Sequence, residues 1–189
     1  MNNPNPLILL VGQSGSGKTT IANYLESKMG YTQIQSYTTR KPRYEGETGH
    51  TFVTKEEFDA LGDLVAYTEY NGNEYGVTAQ MIDESELYVI DVPGVKILLE
   101  KYPNKKRPIY VFFLKSTVAA RIERMIERGD CDSAILSRLH TDEQYDWFER
   151  LKNITWDLGK RMGKNIMLFT IDANKEQADV VHQVIRYLE

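Results

Sequence analysis

Gly12-Gln13-Ser14-Gly15-Ser16-Gly17-Lys18-Thr19 is the stretch from which the rest of this chain is read. It fits G-x-x-x-x-G-K-[ST], a loop whose backbone wraps phosphate groups. The apolar run Leu7–Val11 ahead of it predicts a buried strand. Lys18–Met29 behind it predicts a helix, closed by Gly30. Strand, glycine loop and helix form the setting the motif requires. Glycines let successive N–H groups turn inward, and the helix N-terminus adds partial positive charge. Ser14, Gly15, Ser16, Gly17, Lys18, Thr19 and Thr20 are therefore expected to hold a nucleotide's phosphates. Lys18 would reach the β- and γ-phosphates and face solvent when the loop is empty. The Thr19 hydroxyl would ligate Mg²⁺.

The surrounding composition limits the alternatives. The chain has 189 residues, 41% of them hydrophobic and 26% charged, which suits one α/β domain with a small insert. A net charge of −4 argues against a general nucleic-acid surface. Cys131 is the single cysteine, so no disulfide framework or cysteine metal cluster is expected. No apolar run reaches the length of a membrane span, and no signal-peptide pattern opens the chain. These features predict a reducing, cytoplasmic setting.

Strand and helix patterns alternate, which predicts a parallel sheet covered on both faces. The expected central strands are Leu7–Val11 and residues 87–92, 109–114 and 166–171. The expected helices are Lys18–Met29, residues 117–128, a segment after Cys131, and residues 175–188. Residues 36–77 break the rhythm and read as short strands around one small helix. Thr54-Lys55-Glu56-Glu57 is a capping box, and Asn71-Gly72 is a hairpin turn.

Basic residues fall where phosphate chemistry needs them. Arg40 and Arg43 stand three apart in one loop, and each guanidinium matches two oxygens of a phosphate. Arg121, Arg124 and Arg128 share a helical face, with Arg138 beyond. They suit either pairing with Glu123 and Glu127 on the surface or a mobile lid over the transferring phosphoryl group, with Gly129-Asp130 at its tip. Function is favoured for Arg128 and Arg138. Asp91 ends an apolar strand, at the carboxyl edge where α/β proteins bind ligands. Asp91-Val92-Pro93-Gly94 also fits a GTPase switch. Its guanine-reading partner is missing, since Asn174-Lys175-Glu176-Gln177 lacks the final Asp. Lys105-Lys106-Arg107 reads as solvated surface. Trp147 and Trp156 read as core of the C-terminal helices, and His140 and His182 lack metal-ligand spacing.

Together these residues resemble the guanylate kinase family of P-loop nucleoside monophosphate kinases. The resemblance runs through Gly12–Thr19, S-x-T-T-R-x-x-R at 36–43, Tyr75-Gly76, Asp91 with Gly94, and Arg128-Gly129. It implies a three-layer α/β P-loop kinase core at 1–35 and 80–189 with a parallel sheet. An acceptor-binding insert at 36–79 and a helical lid near 121–140 complete it. It implies ATP and a nucleoside monophosphate, most simply GMP or dGMP, as small-molecule substrates, with Mg²⁺. Lys18, Arg128 and Arg138 would be catalytic. Ser36, Arg40, Arg43, Tyr75 and Asp91 would bind the acceptor, and Thr19 and Asp91 would serve the metal.

The base-reading positions depart from the family. His50 stands where a Tyr is usual, Ala66 where a Glu reads guanine, Val77 where a hydroxyl follows Tyr-Gly, and Val89 where a second acid precedes Asp91. Glu69 is three residues from Ala66 and so faces the other side of a strand. His50 and the Tyr-Gly-Val turn are similar to the ribose 1,5-bisphosphate phosphokinases, an alternative reading. A non-catalytic guanylate-kinase-like module is a third, although such modules typically carry a degraded phosphate loop.

Overall fold

A computed structural model describes residues 5–143 and 146–189. Residues 1–4 and 144–145, assigned above to the kinase core, lie outside the described part. Strand β1 (Leu7–Val11) is buried along its whole length and sits inside a parallel sheet of order β6-β1-β7-β8. The others are β6 (Leu87–Val89), β7 (Ile109–Lys115) and β8 (Ile166–Asp172). A single bridge from Gln33 to Leu87 extends the β6 edge.

The alternation of side chains along β1 divides the core in two. Leu7, Leu9 and Val11 pack with helices α4 (Val92–Lys101) and α7 (Trp147–Met162). Ile8 and Leu10 pack with α1 (Lys18–Met29) and α8 (Gln177–Ile185). Helix layer, parallel sheet and helix layer make the three-layer α/β core expected from the alternating pattern. α1 starts and stops where the sequence places it, with Gly30 left-handed at φ 74° as its C-cap.

One strand is shorter than its apolar run suggests. Residues 87–92 were expected to be extended, but β6 stops at Val89. The Asp91 side chain accepts from the Gly94 N–H at 2.8 Å and caps α4, and Pro93 lies in the first turn. That cap outweighs the extended preference of Val92.

Residues 36–77 form a second sheet, order β3-β2-β5-β4. Its strands are β2 (Ser36–Thr38), β3 (His50–Phe52), β4 (Ala66–Tyr70) and β5 (Asn73–Val77). β2 runs parallel to β3 and antiparallel to β5, which is antiparallel to β4. Asn71 and Gly72 are both left-handed, with φ 53° and 71°, as the tight hairpin requires. Both halves of the capping box form at α2 (Lys55–Asp59). A short helix, α3 (Ala79–Asp83), leads back to the core. Helices α5 (Val118–Glu127) and α6 (Asp132–Glu143) flank the turn at Arg128–Cys131.

Two surface and core expectations are overturned. Arg107 is 2% exposed; its guanidinium donates to the carbonyls of Asn5, Ile82 and Ser85 and ties α3 to the sheet edge. Trp156 is 64% exposed, with the Lys160 ammonium 4.0 Å from its ring centre. It lies nine residues from buried Trp147, half a turn round the helix.

Candidate active site

The phosphate loop is shaped by its own glycines and by α5. Gly15 has φ 75°, and a Cβ there would lie 2.6 Å from the Arg121 carbonyl, so α5 presses directly on the loop. Gly17, at φ 96°, opens α1. Ser16 is buried, whereas Thr19 and Thr20 are exposed at the helix mouth. Lys18 was expected to face solvent, but it is half-buried and folded back on its own loop. Its Nζ donates to the carbonyls of Gly12 at 2.7 Å and Gln13 at 3.0 Å. Burial lowers its pKa to about 8, against the opposing pull of Asp142 and Asp91.

The arginines on α5 separate by role. Arg124 donates to the carbonyls of Gly15 at 3.4 Å and Ala173 at 2.6 Å, bracing the loop. Arg121 is 1% exposed and pairs with Asp142 at 2.9 Å, so it is neither surface-paired nor aimed at a ligand. Arg128 pairs with Asp130, and Arg138 lies 3.7 Å from the same carboxylate.

In the segment after β2, Arg40 grips Glu47 with both terminal nitrogens, at 3.1 and 2.8 Å. Arg43 adds its N–H at 2.7 Å and a guanidinium contact at 3.3 Å to the same carboxylate. Burial lowers the Arg43 pKa, and Arg40, Arg138 and Arg128 push in the same direction. Arg128 first, then Arg138 and Arg43, hold the Asp130 carboxyl below its usual range. The four guanidiniums thus converge on one region, each already paired with a protein carboxylate. Glu47 and Asp130 satisfy donors of the kind that also match phosphate oxygens. Neither acid was singled out from the sequence. Each is distinguished only by the arginines the fold brings to it.

Asp91 joins α4 to the second sheet. Its Oδ1 caps α4, and its Oδ2 accepts from the Thr68 hydroxyl at 2.7 Å. Burial raises its pKa, while those hydrogen bonds and Lys18 pull it down. Tyr75 pairs with Thr38 in the sheet, its ring 5.5 Å from that of His50. The Arg40 guanidinium stands 5.3 Å from the Phe52 ring centre.

Two of the departing positions are apolar and belong to the core. Ala66 and Val77 are paired partners in β4 and β5 and are both buried. Glu69 pairs with Glu74 without any slip in register, so it is exposed on the opposite strand face from Ala66. Ser36 Oγ and His50 Nδ1 share a hydrogen bond at 2.8 Å. Burial, then Arg40, lowers the His50 pKa to about 4, so its ring is neutral at physiological pH.

This has a consequence for stability. A histidine that binds its proton less well folded than unfolded contributes stability above its unfolded pKa near 6.5 and loses it as pH falls toward 4. Between pH 7 and pH 5 the loss through His50 should be on the order of 2 kcal/mol. Urea denaturation at both pH values should show it in the wild type and not in His50→Gln. Equal losses in the two proteins would rule out this role.

Comparison with known proteins agrees with the geometry. Residues 4–144 match the guanylate kinase family. A guanylate kinase of Synechocystis sp. is 34% identical over 151 residues, covering 73% of this chain and 78% of that protein. A guanylate kinase of Helicobacter pylori is 34% identical over 153 residues, covering 74% and 72%. The crystal structure of guanylate kinase from Anaplasma phagocytophilum superposes with a TM-score of 0.58 over 99% of this chain and 86% of that one, at 20% identity, a likeness of fold. With its phosphate loop intact and 34% identity to a curated guanylate kinase, the chain belongs to the guanylate kinase family.

Proposed function

We propose that this protein transfers the γ-phosphoryl group of ATP to the phosphate of a nucleoside monophosphate, GMP or dGMP. The observation that carries this is the pairing of a complete phosphate loop with a two-arginine cradle that already holds a carboxylate, Glu47. In the reaction the bond from the γ-phosphorus to its bridging oxygen breaks. A bond forms to an acceptor phosphate oxygen, giving ADP and a nucleoside diphosphate. The attacking oxygen is already ionised, so no general base is required. Catalysis is positioning and charge neutralisation. Lys18, Arg128 and Arg138 neutralise charge on the transferring group, and Ser14–Thr20 cradle the donor phosphates. Ser36, Arg40, Arg43, Tyr75 and Asp91 hold the acceptor. Residues 36–79 act as the acceptor insert, and residues 121–140 close over the site as a lid.

The residues present fit Mg²⁺ arriving with the nucleotide. Among the described residues no cluster of three acidic, His or Cys side chains could hold a metal alone. The Thr19 hydroxyl is exposed, and each Asp91 oxygen keeps acceptor capacity beyond its one internal bond. Thr19 and Asp91 would hold the ion, which supplies charge neutralisation to the phosphates. A cytoplasmic setting is consistent with the single exposed cysteine, and no described helix is long and apolar enough to cross a membrane.

The test is ADP release with GMP, dGMP, AMP, CMP, UMP, dTMP and ribose 1,5-bisphosphate as acceptors. GMP-dependent formation of GDP is expected. Turnover of the sugar phosphate alone, or of none, would overturn the assignment. Within this reading apolar Ala66 and Val77 leave the guanine amino group without the usual carboxylate. A hydrogen bond to a charged acceptor contributes about 1.5–3 kcal/mol, roughly ten- to a hundredfold. IMP, which lacks that amino group, should therefore match GMP in kcat/KM within about fivefold. A preference for GMP above a hundredfold would mean that another group reads the base.

A further inference from the structure

Thr68 and Tyr70 are two residues apart on β4, so their side chains leave the same face. Thr68 reaches Asp91, as described. The Tyr70 hydroxyl lies 3.0 Å from Ser14 Oγ in the phosphate loop and 3.4 Å from Asp142 Oδ1 on α6. Asp142 is fully buried, and its Oδ2 accepts from the Ser14 N–H and from Arg121, both at 2.9 Å. Its backbone carbonyl accepts from Trp147 Nε1 at 2.9 Å and Gln13 Nε2 at 3.4 Å. At the hairpin tip, Ser137 Oγ donates to Asn71 Oδ1 at 3.1 Å. The β4–β5 hairpin is thus pinned to the phosphate loop through the Ser14 hydroxyl, and to α6 through Tyr70, Asn71, Ser137 and Asp142, whose side chains no step above uses. Burial raises the Tyr70 phenol above its usual pKa, so it remains a donor at neutral pH.

We propose that Tyr70 is a positioning residue: through Ser14 and Asp142 it fixes the second sheet, which carries the acceptor cradle, at the separation from the phosphate loop that in-line transfer requires. This rests on the phosphotransfer reading. Each substrate keeps its own binding groups when the Tyr70 hydroxyl is lost, so alignment rather than affinity is at stake. Displacement of reacting groups by about 1 Å can cost about a hundredfold in rate, and loosening one of several ties should cost less.

The experiment compares Tyr70→Phe, Ser14→Ala and the double variant, using the best monophosphate acceptor of the wild type. Each single change should lower kcat about five- to tenfold; Tyr70→Phe should leave KM for ATP and for the acceptor within about twofold, whereas Ser14→Ala, which alters the donor cradle, is read on kcat alone. The double variant should fall no more than about twofold below the worse single, because both remove one link. Hydrogen exchange of the empty protein supplies an arm independent of turnover. The Tyr70 and Asn71 amides should exchange at least about tenfold faster in Tyr70→Phe. Any of four results overturns the proposal: kcat within twofold of wild type, a rise confined to the acceptor KM, multiplicative losses in the double variant, or unchanged exchange. Wild-type protein that turns over no acceptor would instead defeat the functional reading and leave the exchange result to decide this one.

Discussion

Lys18→Met should lower phosphoryl transfer by roughly a thousandfold, about 4 kcal/mol of transition-state stabilisation, while the protein still folds. The ammonium sits at the mouth of α1, where the loop N–H groups and the helix end already favour anions. In the empty loop it rests on the carbonyls of Gly12 and Gln13. Two neutral oxygens do not fully compensate the desolvation of this half-buried cation, which is why its pKa falls to about 8. A phosphate dianion beside Nζ reverses that imbalance, so the lysine is poised to exchange its carbonyl partners for phosphate oxygens. Methionine keeps most of the aliphatic stem and removes a charge the empty loop holds at a cost. Thermal denaturation should therefore move little. Coupled-assay kcat within tenfold of wild type in a folded Lys18→Met protein would be incompatible with the proposed chemistry.

How far the sequence could carry the reading depends on the range of each interaction. Gly12–Thr19, the capping box at Thr54 and the Asn71-Gly72 turn are local, because their hydrogen bonds close within a few residues, and residue type alone identifies them. β1 was legible because its run of five apolar residues is bounded by Pro6 and Gly12 and is too short for a buried helix. The Arg121–Asp142 pair was not, because its partners are 21 residues apart and meet only when α5 and α6 pack. Arg107 looked like surface within Lys105-Lys106-Arg107. Its three carbonyl partners come from residues 5, 82 and 85, which nothing local joins to it. Trp156 was legible in principle. Trp147, Leu151, Thr155 and Leu158 mark the buried stripe of α7, and position 156 falls outside it. Composition misled there where periodicity would have decided. In the site, the arginines could be found from spacing, but not the carboxylates that hold them in the empty protein.

Those carboxylates shape the second large effect, expected for Arg40→Met. Arg40 makes two near-parallel bonds to Glu47, the fork geometry a phosphate would accept in its place. Losing two charge-assisted hydrogen bonds, at about 1.5–3 kcal/mol each, should lower kcat/KM for the acceptor by a hundredfold or more. KM for ATP should stay within about twofold, since the phosphate loop is separate. Arg40→Lys should recover little, because an ammonium cannot span two oxygens in the plane of a fork. The fold should survive. Glu47 keeps the Arg43 N–H at 2.7 Å and the Arg43 guanidinium at 3.3 Å, so its carboxylate is not left unpaired. Glu47→Gln separates the two roles of the acid. If Glu47 mainly competes with the incoming phosphate, removing its charge lowers the acceptor KM. If it mainly holds Arg40 and Arg43 in position, the acceptor KM rises. The bidentate contact to Arg40 and the backbone bond from Arg43 favour the second outcome, because together they fix both the direction of the fork and the loop that carries it. Steady-state kinetics on Arg40→Met, Arg40→Lys and Glu47→Gln would show this ordering. An Arg40→Met enzyme with unchanged acceptor kcat/KM would remove the arginine cradle from the acceptor site.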